Sequence, residues 1–215
     1  MLAMRMLSRF ASLLIAAVVT AQILSAHPAS AQSPPKGAAA AVVSAFHETL
    51  LGVMKRAGEL GVKDRYDILA PAVDKAFHLD LTARQSAGRR PWKSASPAEQ
   101  SALLAAFRHW TIGTYANQFN GWSGQAFIDR GEKPGPQKGT VLVETELTGE
   151  EPVTLTYLMV LKGGRWGVYD VLVRQGTTSI SQLAKHISEF NGIVKNGLPA
   201  LTQTLTAKTE VLLAN

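Results

Sequence analysis

One carboxylate stands inside an apolar run of the sequence, and it is the first candidate for chemistry. Asp170 lies in the run 168–171, between Tyr169 and Val171. Burial in such a run would raise the pKa of the carboxyl group and suit it to general acid or base catalysis. An enzyme hypothesis therefore pairs Asp170 with Tyr157 as acid and base in an apolar pocket. In the alternative interpretation, Asp170 faces solvent or caps a neighbouring loop.

The other side chains that carry chemistry form no known catalytic or metal-binding pattern. After residue 31 the histidines are His47, His78, His109 and His186, and none has the spacing of a metal ligand pair. The chain has no cysteine, which excludes thiol nucleophiles, thiolate metal sites and disulfides. The phosphate-binding, dinucleotide-binding and G-x-S-x-G patterns are also absent from the sequence. We therefore predict no metal and no cofactor, and interpret each histidine as an ordinary surface or packed residue.

Four basic side chains surround Trp92, namely Arg84, Arg89, Arg90 and Lys93. Such a group could meet an anionic lipid headgroup, a membrane or an acidic transport partner. A solvated loop is the alternative. Nucleic acid is not predicted as a partner, because the chain begins with the features of an exported protein.

The N-terminal segment predicts export. Arg5 and Arg9 precede an apolar run at 11–19, and the segment 29–31 (Ala-Ser-Ala) has the small-x-small form read by signal peptidase. The apolar run is shorter than the ~20 residues that a membrane span requires. We predict a signal peptide at 1–31, a linker at 32–37 and a periplasmic location.

The composition is typical of one globular domain. The chain has 215 residues, of which 46% are hydrophobic and 18% charged, and a formal net charge of +6. Without disulfides, the stability of the domain must come from its packed core. We predict a single domain over 38–215.

Three consecutive runs predict a sheet. The runs 138–147, 152–162 and 165–175 are rich in Val, Leu, Thr and aromatic residues. Gly163 and Gly164 supply the positive φ angles of a two-residue hairpin turn, so Leu161 and Trp166 should lie near its closed end. The middle run places its apolar side chains on one face by strict alternation: Val153, Leu155, Tyr157, Met159 and Leu161.

An apolar sheet face must be covered, and the remaining segments have helical periodicity. The spacing of apolar residues predicts helices at 38–60, 64–69, 97–119, 180–190 and 197–213, with another beginning at Pro71. A further strand is predicted at 125–130, followed by an exposed turn-rich loop at 131–136. The predicted fold is therefore α+β, with a curved antiparallel four-stranded sheet wrapped by N-terminal and C-terminal helices.

Four segments occur in the order found in a known family. They are 71–74 (PAVD), 92–100 (WKSASPAEQ), Phe107 with 114–116 (TYA), and 164–171 (GRWGVYDV). Together they resemble the MlaC, or toluene-tolerance, family of periplasmic phospholipid carriers over most of 38–215. The segment 176–190 differs from the usual family pattern and is similar to the hopanoid-associated HpnM branch.

The resemblance implies a lipid cavity between the concave sheet face and the helices. The cargo would be a phospholipid or a hopanoid, and the partners would be transport complexes of the inner and outer membranes. Apolar periodicity does not distinguish a hollow interior from a filled core, so a packed core is the alternative for each lining residue. The predicted lining residues are Phe46, Leu50, Met54, Phe107, Trp110, Val143, Leu155, Tyr157, Met159, Leu183 and Ile187.

Three classes of function remain open at this point. The first is a non-enzymatic protein that carries lipid between the inner and outer membranes. The second is a small isomerase-like enzyme that uses Asp170 and Tyr157. The third is a structural adaptor of a membrane transport complex, with a solid core and a role in protein contacts.

Overall fold

The computed structural model describes residues 37–214. The predicted signal peptide lies outside these residues, as does the predicted linker apart from Gly37. The described part contains seven α-helices, five strands and one short 3-10 helix. Their bounds are α1 Ala38–Lys55, α2 Val62–Ala76, α3 Leu79–Ala87, α4 Arg89–Ser94, α5 Pro97–Gln118, β1 Phe127–Pro134, β2 Thr140–Leu147, β3 Val153–Lys162, β4 Arg165–Gln175, β5 Thr178–Ser181, α6 Gln182–Asn191, the 3-10 helix Val194–Asn196 and α7 Leu198–Ala214.

The sheet is antiparallel, in the order β1-β2-β3-β4-β5. The α+β class with an antiparallel sheet is confirmed, but the predicted count of four strands is wrong because β5 adds a fifth. A turn at Gly176, where φ is 55°, returns the chain against β4 and pairs Ile180 with Val173. The prediction missed β5 because Ile180 also fits the helical spacing of the residues that follow it. The predicted loop at 131–136 was also wrong in part, since β1 runs to Pro134.

The central hairpin forms as predicted. Gly163 and Gly164 have φ of 58° and 76°, which are the positive angles of a type I′ turn. Leu161 pairs with Trp166 next to that turn. Along β3, Leu155, Tyr157 and Met159 are buried while the residues between them are more exposed. The predicted apolar face is therefore the inner face of the sheet.

Most predicted helices are present, but two segments that were predicted as separate helices form one helix. The helix over 97–119 begins with a capping box of the local pattern S-x-x-E, in which the Glu99 amide donates to Ser96 Oγ at 3.2 Å and the Ser96 amide donates to Glu99 Oε2 at 2.7 Å. The predicted break at Pro71 is wrong, because α2 continues through it from Val62 to Ala76. Leu69 and Val73 are fully buried on either side of Pro71, and this packing outweighs the loss of one backbone hydrogen bond.

The buried side chains form two clusters. The sheet cluster lies between α1, α2 and the C-terminal part of α5 on one side and the inner face of the sheet on the other. Its members include Val43, Leu69, Val73, Ile112 and Val168. The helix cluster joins α3, the N-terminal part of α5, α6 and α7. Helix α5 contributes to both clusters and so connects the two halves of the interior.

Candidate functional site

The sheet cluster contains six of the eleven residues predicted to line a lipid site. They come from helix α1 and from the inner faces of β2 and β3, and all are buried: Phe46, Leu50, Val143, Leu155, Tyr157 and Met159. Met54, also on α1, is buried as well. The structure thus brings most of the predicted residues to one place, between α1 and the sheet.

Phe46 lies at the centre of an aromatic group in the sheet cluster. Its ring meets the ring of Phe77 edge-on, with the centroids 5.2 Å apart, and it meets Tyr115 in the same way at 5.3 Å. Edge-to-face pairs of this kind stabilise an apolar interior beyond the burial of area alone. Helices α1, α2 and α5 are held together by these contacts above the sheet.

The sheet cluster also contains a buried polar pair. His47 Nε2 lies 2.8 Å from the Tyr157 hydroxyl, and the imidazole stacks on Phe127 with the ring centroids 3.9 Å apart. Burial lowers the pKa of His47 to about 4, and the neighbouring carboxylate of Asp129 only partly offsets this. Burial also raises the pKa of Tyr157 well above its ordinary value. Both groups are therefore neutral at physiological pH. No local sequence pattern indicates this pair, because the two residues are 110 positions apart.

Two predicted residues, Phe107 and Trp110, lie in the helix cluster instead. Their rings surround the imidazole of His186, with centroids 5.8 Å and 4.9 Å from it, and Phe190 stacks on its other side. Burial lowers the pKa of His186 to about 4. Phe107 and Trp110 therefore do not share a site with the residues of the sheet cluster in this structure.

The last two predicted residues lie on α6. Leu183 is half-buried and the side chain of Ile187 is 39% exposed. Neither belongs to the sheet cluster, and the buried residue of α6 is Phe190, which lies in the helix cluster. Any part in lipid binding for these two residues stays a prediction.

Asp170 caps helix α6. Its Oδ1 accepts hydrogen bonds from the amides of Val171 and Leu183 at 2.8 and 2.9 Å, and its Oδ2 accepts from the Ser181 hydroxyl at 2.6 Å. The carboxylate thereby satisfies a free amide in the first turn of the helix, where negative charge is also favoured by the helix dipole. Of the two interpretations of Asp170, the structure supports the cap.

Asp170 and Tyr157 also lie on opposite faces of the sheet. Tyr157 pairs with Val171, whereas Asp170 pairs with Leu158, and successive residues of a strand point to opposite sides. Tyr157 points into the sheet cluster and Asp170 points away from it. The acid and base of the enzyme hypothesis cannot converge on one substrate.

The segment 164–171 joins the sheet to the helices through hydrogen bonds. The guanidinium of Arg165 donates to the backbone oxygens of Lys75 and Phe77 at 2.6 and 3.1 Å and to His78 Nδ1 at 2.8 Å. His78 Nε2 lies 3.2 Å from the backbone oxygen of Val160. The residues that carry the family resemblance in this segment thus have a structural role in the junction between α2, α3 and β4.

The predicted basic group lies on α3 and α4. Arg84, Arg89, Arg90 and Lys93 are exposed, and none of them forms a salt bridge within residues 37–214. The Arg84 guanidinium lies over the Trp92 ring, 5.7 Å from its centroid. This is a solvated surface with net positive charge.

The surface of residues 37–214 includes the following grooves. One of about 300 Å³ and one of about 770 Å³ lie along α5 and α7 and share Ala102, Thr202, Thr206 and Glu210. A third of about 700 Å³ lies at the end of the sheet beside Val173 and Ile180. None of the eleven predicted lining residues borders these three grooves.

Within residues 37–214, no group of three or more acidic or histidine side chains has the arrangement of a metal site. The helices in that range are all too short or too polar to cross a membrane.

Comparison with known proteins gives a match at the level of the family. The family model described as "MlaC protein" matches residues 45–207, which span all the helices and strands from α1 to α7 in whole or in part. No curated protein matches the chain. Among solved structures, the fold is similar to that of a phospholipid-binding protein from Ralstonia solanacearum, which was solved in complex with a phospholipid.

That similarity has a TM-score of 0.68 at 18% sequence identity and covers 84% of this chain and 99% of the other. At this level of identity it shows a shared fold. The match to the family model is independent of that likeness and covers well over half of the sequence. The chain therefore belongs to the MlaC family.

Proposed function

We propose that this protein is a periplasmic carrier that holds a lipid between α1, α2 and the inner face of the sheet. MlaC family proteins are periplasmic, non-enzymatic lipid carriers. The observation that supports this binding site is the sheet cluster. In it, six predicted lining residues lie together, some on α1 and the others on the inner face of the sheet. The proposed signal peptide at 1–31 would direct the chain to the periplasm.

Physical chemistry explains why such a carrier needs no catalytic group. Exposing one methylene to water costs ~0.8 kcal/mol, so an acyl chain of ordinary length costs on the order of 10 kcal/mol to expose. A lipid therefore crosses an aqueous compartment slowly by itself. A protein with an apolar interior removes most of that cost by surrounding the hydrocarbon.

The proposed binding requires α1 to separate from the sheet. Phe46 and Leu50 on α1 belong to the same buried cluster as the side chains of the inner sheet face, so the cargo would replace part of the packing within this cluster. Met159, at the centre of β3, is fully buried and has the flexible side chain that adapts to a guest. The helix is also held at its start by Glu132, whose carboxylate accepts hydrogen bonds from the amides of Gly37 and Ala40 at 3.1 and 3.2 Å.

The cargo is proposed to be a phospholipid or a hopanoid, received from and delivered to complexes in the inner and outer membranes. The fold likeness to a phospholipid complex favours phospholipid. The segment 176–190, which is similar to the hopanoid-associated branch, favours a hopanoid; it forms β5 and α6 beside the sheet. Both molecules present a hydrocarbon body of the kind that the sheet cluster can surround.

Mass spectrometry of an organic extract tests this proposal. The full chain is expressed with its export segment, purified from the periplasm without detergent and extracted with chloroform and methanol. We expect phospholipid or hopanoid in near-stoichiometric amount. An unrelated exported protein of similar size, processed in parallel, reports adventitious lipid. An extract no richer in lipid than this control, together with no transfer of lipid between vesicles, would refute the carrier function.

A further inference from the structure

Three buried polar side chains of α1 and the sheet lie within the sheet cluster. They are His47 on α1, Thr145 on β2 and Tyr157 on β3, with exposed fractions of 6%, 3% and 3%. Polar groups at this depth are normally fully hydrogen-bonded to other protein groups. The bonds that these three groups make, and those that they leave unmade, indicate what they can bind.

The His47–Tyr157 pair keeps one hydrogen-bond donor unused. A neutral imidazole has one donor and one acceptor, and a phenol has one donor. The contact between His47 Nε2 and the Tyr157 hydroxyl uses one donor and one acceptor. If the tyrosine donates, the imidazole N–H at Nδ1 remains; if the imidazole donates, the tyrosine O–H remains. Either arrangement leaves one donor of the pair without a hydrogen-bond partner among residues 37–214.

Thr145 adds a second donor. Its Oγ1 is buried and has no hydrogen-bond partner within residues 37–214. Thr145 pairs with Leu155 across β2 and β3, and Tyr157 is the next residue of β3 on the same face. Diagonal neighbours of this kind lie ~7–8 Å apart, within reach of one small ligand group. The buried Thr145 hydroxyl and the Tyr157 side chain that contacts His47 therefore lie on the same face of the sheet.

The charges around these donors favour an uncharged acceptor. Asp129, which pairs with Thr145 across β1 and β2, is the charged group that acts on His47. A carboxylate at this position repels a phosphate. The buried guanidinium of Arg65 donates to the backbone oxygens of Ala116 and Leu60 at 2.8 and 2.6 Å and is not available as a counterion. The donors of Thr145 and of the His47–Tyr157 pair thus suit a carbonyl oxygen and not an ionised headgroup.

We propose that Thr145 and the His47–Tyr157 pair form a subsite that donates hydrogen bonds to the ester carbonyl oxygens of a bound glycerolipid. The inference rests on the proposed carrier function and specifies its ligand class. In a glycerolipid, the ester groups join the acyl chains to the headgroup and carry strong acceptors without charge. The apolar wall of the sheet cluster binds the chains, and the subsite fixes the depth at which the glycerol lies.

A pair of lipids that differ only at the ester groups tests the subsite. The probes are dioleoyl phosphatidylglycerol and its diether analogue, which has the same chains and headgroup but no carbonyl. We expect the wild-type protein to bind the diester about tenfold more tightly. Thr145→Val and Tyr157→Phe should each weaken binding of the diester about fivefold relative to binding of the diether. Binding is measured by titration of lipid-free protein.

Thr156→Val is the matched control, because Thr156 is the neighbour of Tyr157 on the opposite face of β3. It should change the affinity for neither probe. Equal affinity of the wild type for diester and diether, or equal losses of both in the two variants, would overturn the subsite and leave the carrier function standing. Binding of neither probe and of no hopanoid by the wild type would overturn the carrier function itself. Retained diether binding also shows that a variant is folded.

Discussion

Replacing Gly167 with alanine should lower the free energy of unfolding by about 3 kcal/mol. A Cβ at this position would lie 2.5 Å from His78 Cδ2 and 2.8 Å from His78 Cγ and Nε2. No real Cβ contact is so short, so either the ring or the strand must move. Chemical denaturation at neutral pH measures the change.

The imidazole of His78 cannot move away without losing other contacts. Its Nδ1 accepts from the Arg165 guanidinium at 2.8 Å, and its Nε2 donates towards the Val160 carbonyl at 3.2 Å. The backbone amide of His78 also donates to the Val168 carbonyl at 2.9 Å. Displacement of the ring would thus loosen the junction of α2 and α3 with β4, which adds to the steric cost.

Gly52→Ala is the matched control for this substitution. Gly52 lies within α1, and a Cβ there meets no atom within 4 Å. Since alanine is favoured over glycine in a helix by roughly 1 kcal/mol, this variant should be slightly more stable than the wild type. A Gly167→Ala protein as stable as the wild type would show that the His78 contacts contribute little.

Replacing Phe46 with alanine should have the largest effect, a loss of about 4 kcal/mol of unfolding free energy. The Phe46 side chain is among the largest that are fully buried, and it contacts Phe77 and Tyr115 edge-on. Removing it deletes apolar contacts and leaves a space that the surrounding helices cannot fill. The loss is measured on lipid-free protein, and added lipid should recover part of it by occupying the space.

Ile187→Ala provides the comparison, because both residues were predicted from periodicity to line the lipid site. Ile187 is 39% exposed, so its truncation should cost under 1 kcal/mol and leave lipid affinity unchanged. If Ile187→Ala weakens lipid binding, then α6 takes part in the site and the cargo is not confined to the sheet cluster.

Local sequence patterns predicted those parts of the fold that depend on neighbouring residues. The Gly163–Gly164 turn, the alternation along β3 and the capping box of α5 each involve positions only a few residues apart. These signals are sufficient to identify the antiparallel sheet and the face of it that is buried. The burial of Phe46 and Leu50 followed from the helical spacing of apolar residues, and that of Met159 followed from the alternation along β3.

The wrong or missing predictions concern features of the fold that depend on contacts between residues far apart in sequence. Helix α2 continues through Pro71 because its flanks are packed on other elements, which no local rule describes. The His47–Tyr157 contact joins residues 110 apart in sequence, and the Arg165–His78 contact joins residues 87 apart. Periodicity likewise assigned Phe107 and Trp110 to the same interior as Phe46, although they lie in the helix cluster. Periodicity shows which side of a helix is buried but not which cluster it joins.

The structure also gives the segment 164–171, which is part of the family resemblance, a role that is not catalytic. Arg165 holds the end of α2, Gly167 leaves room for His78, and Asp170 caps α6. These three residues connect β4 to three helices. The proposed movement of α1 to admit a lipid requires such a frame, because the rest of the domain must stay assembled while α1 separates from the sheet.

A crystal structure with a phospholipid brominated midway along its acyl chains would test the central claim most directly. Anomalous scattering locates the bromine atoms without reference to the protein coordinates. We predict bromine peaks between α1 and the inner face of the sheet, in contact with Met159 and Val143. Peaks in the groove along α5 and α7, or on the outer surface alone, would contradict a lipid site in the sheet cluster.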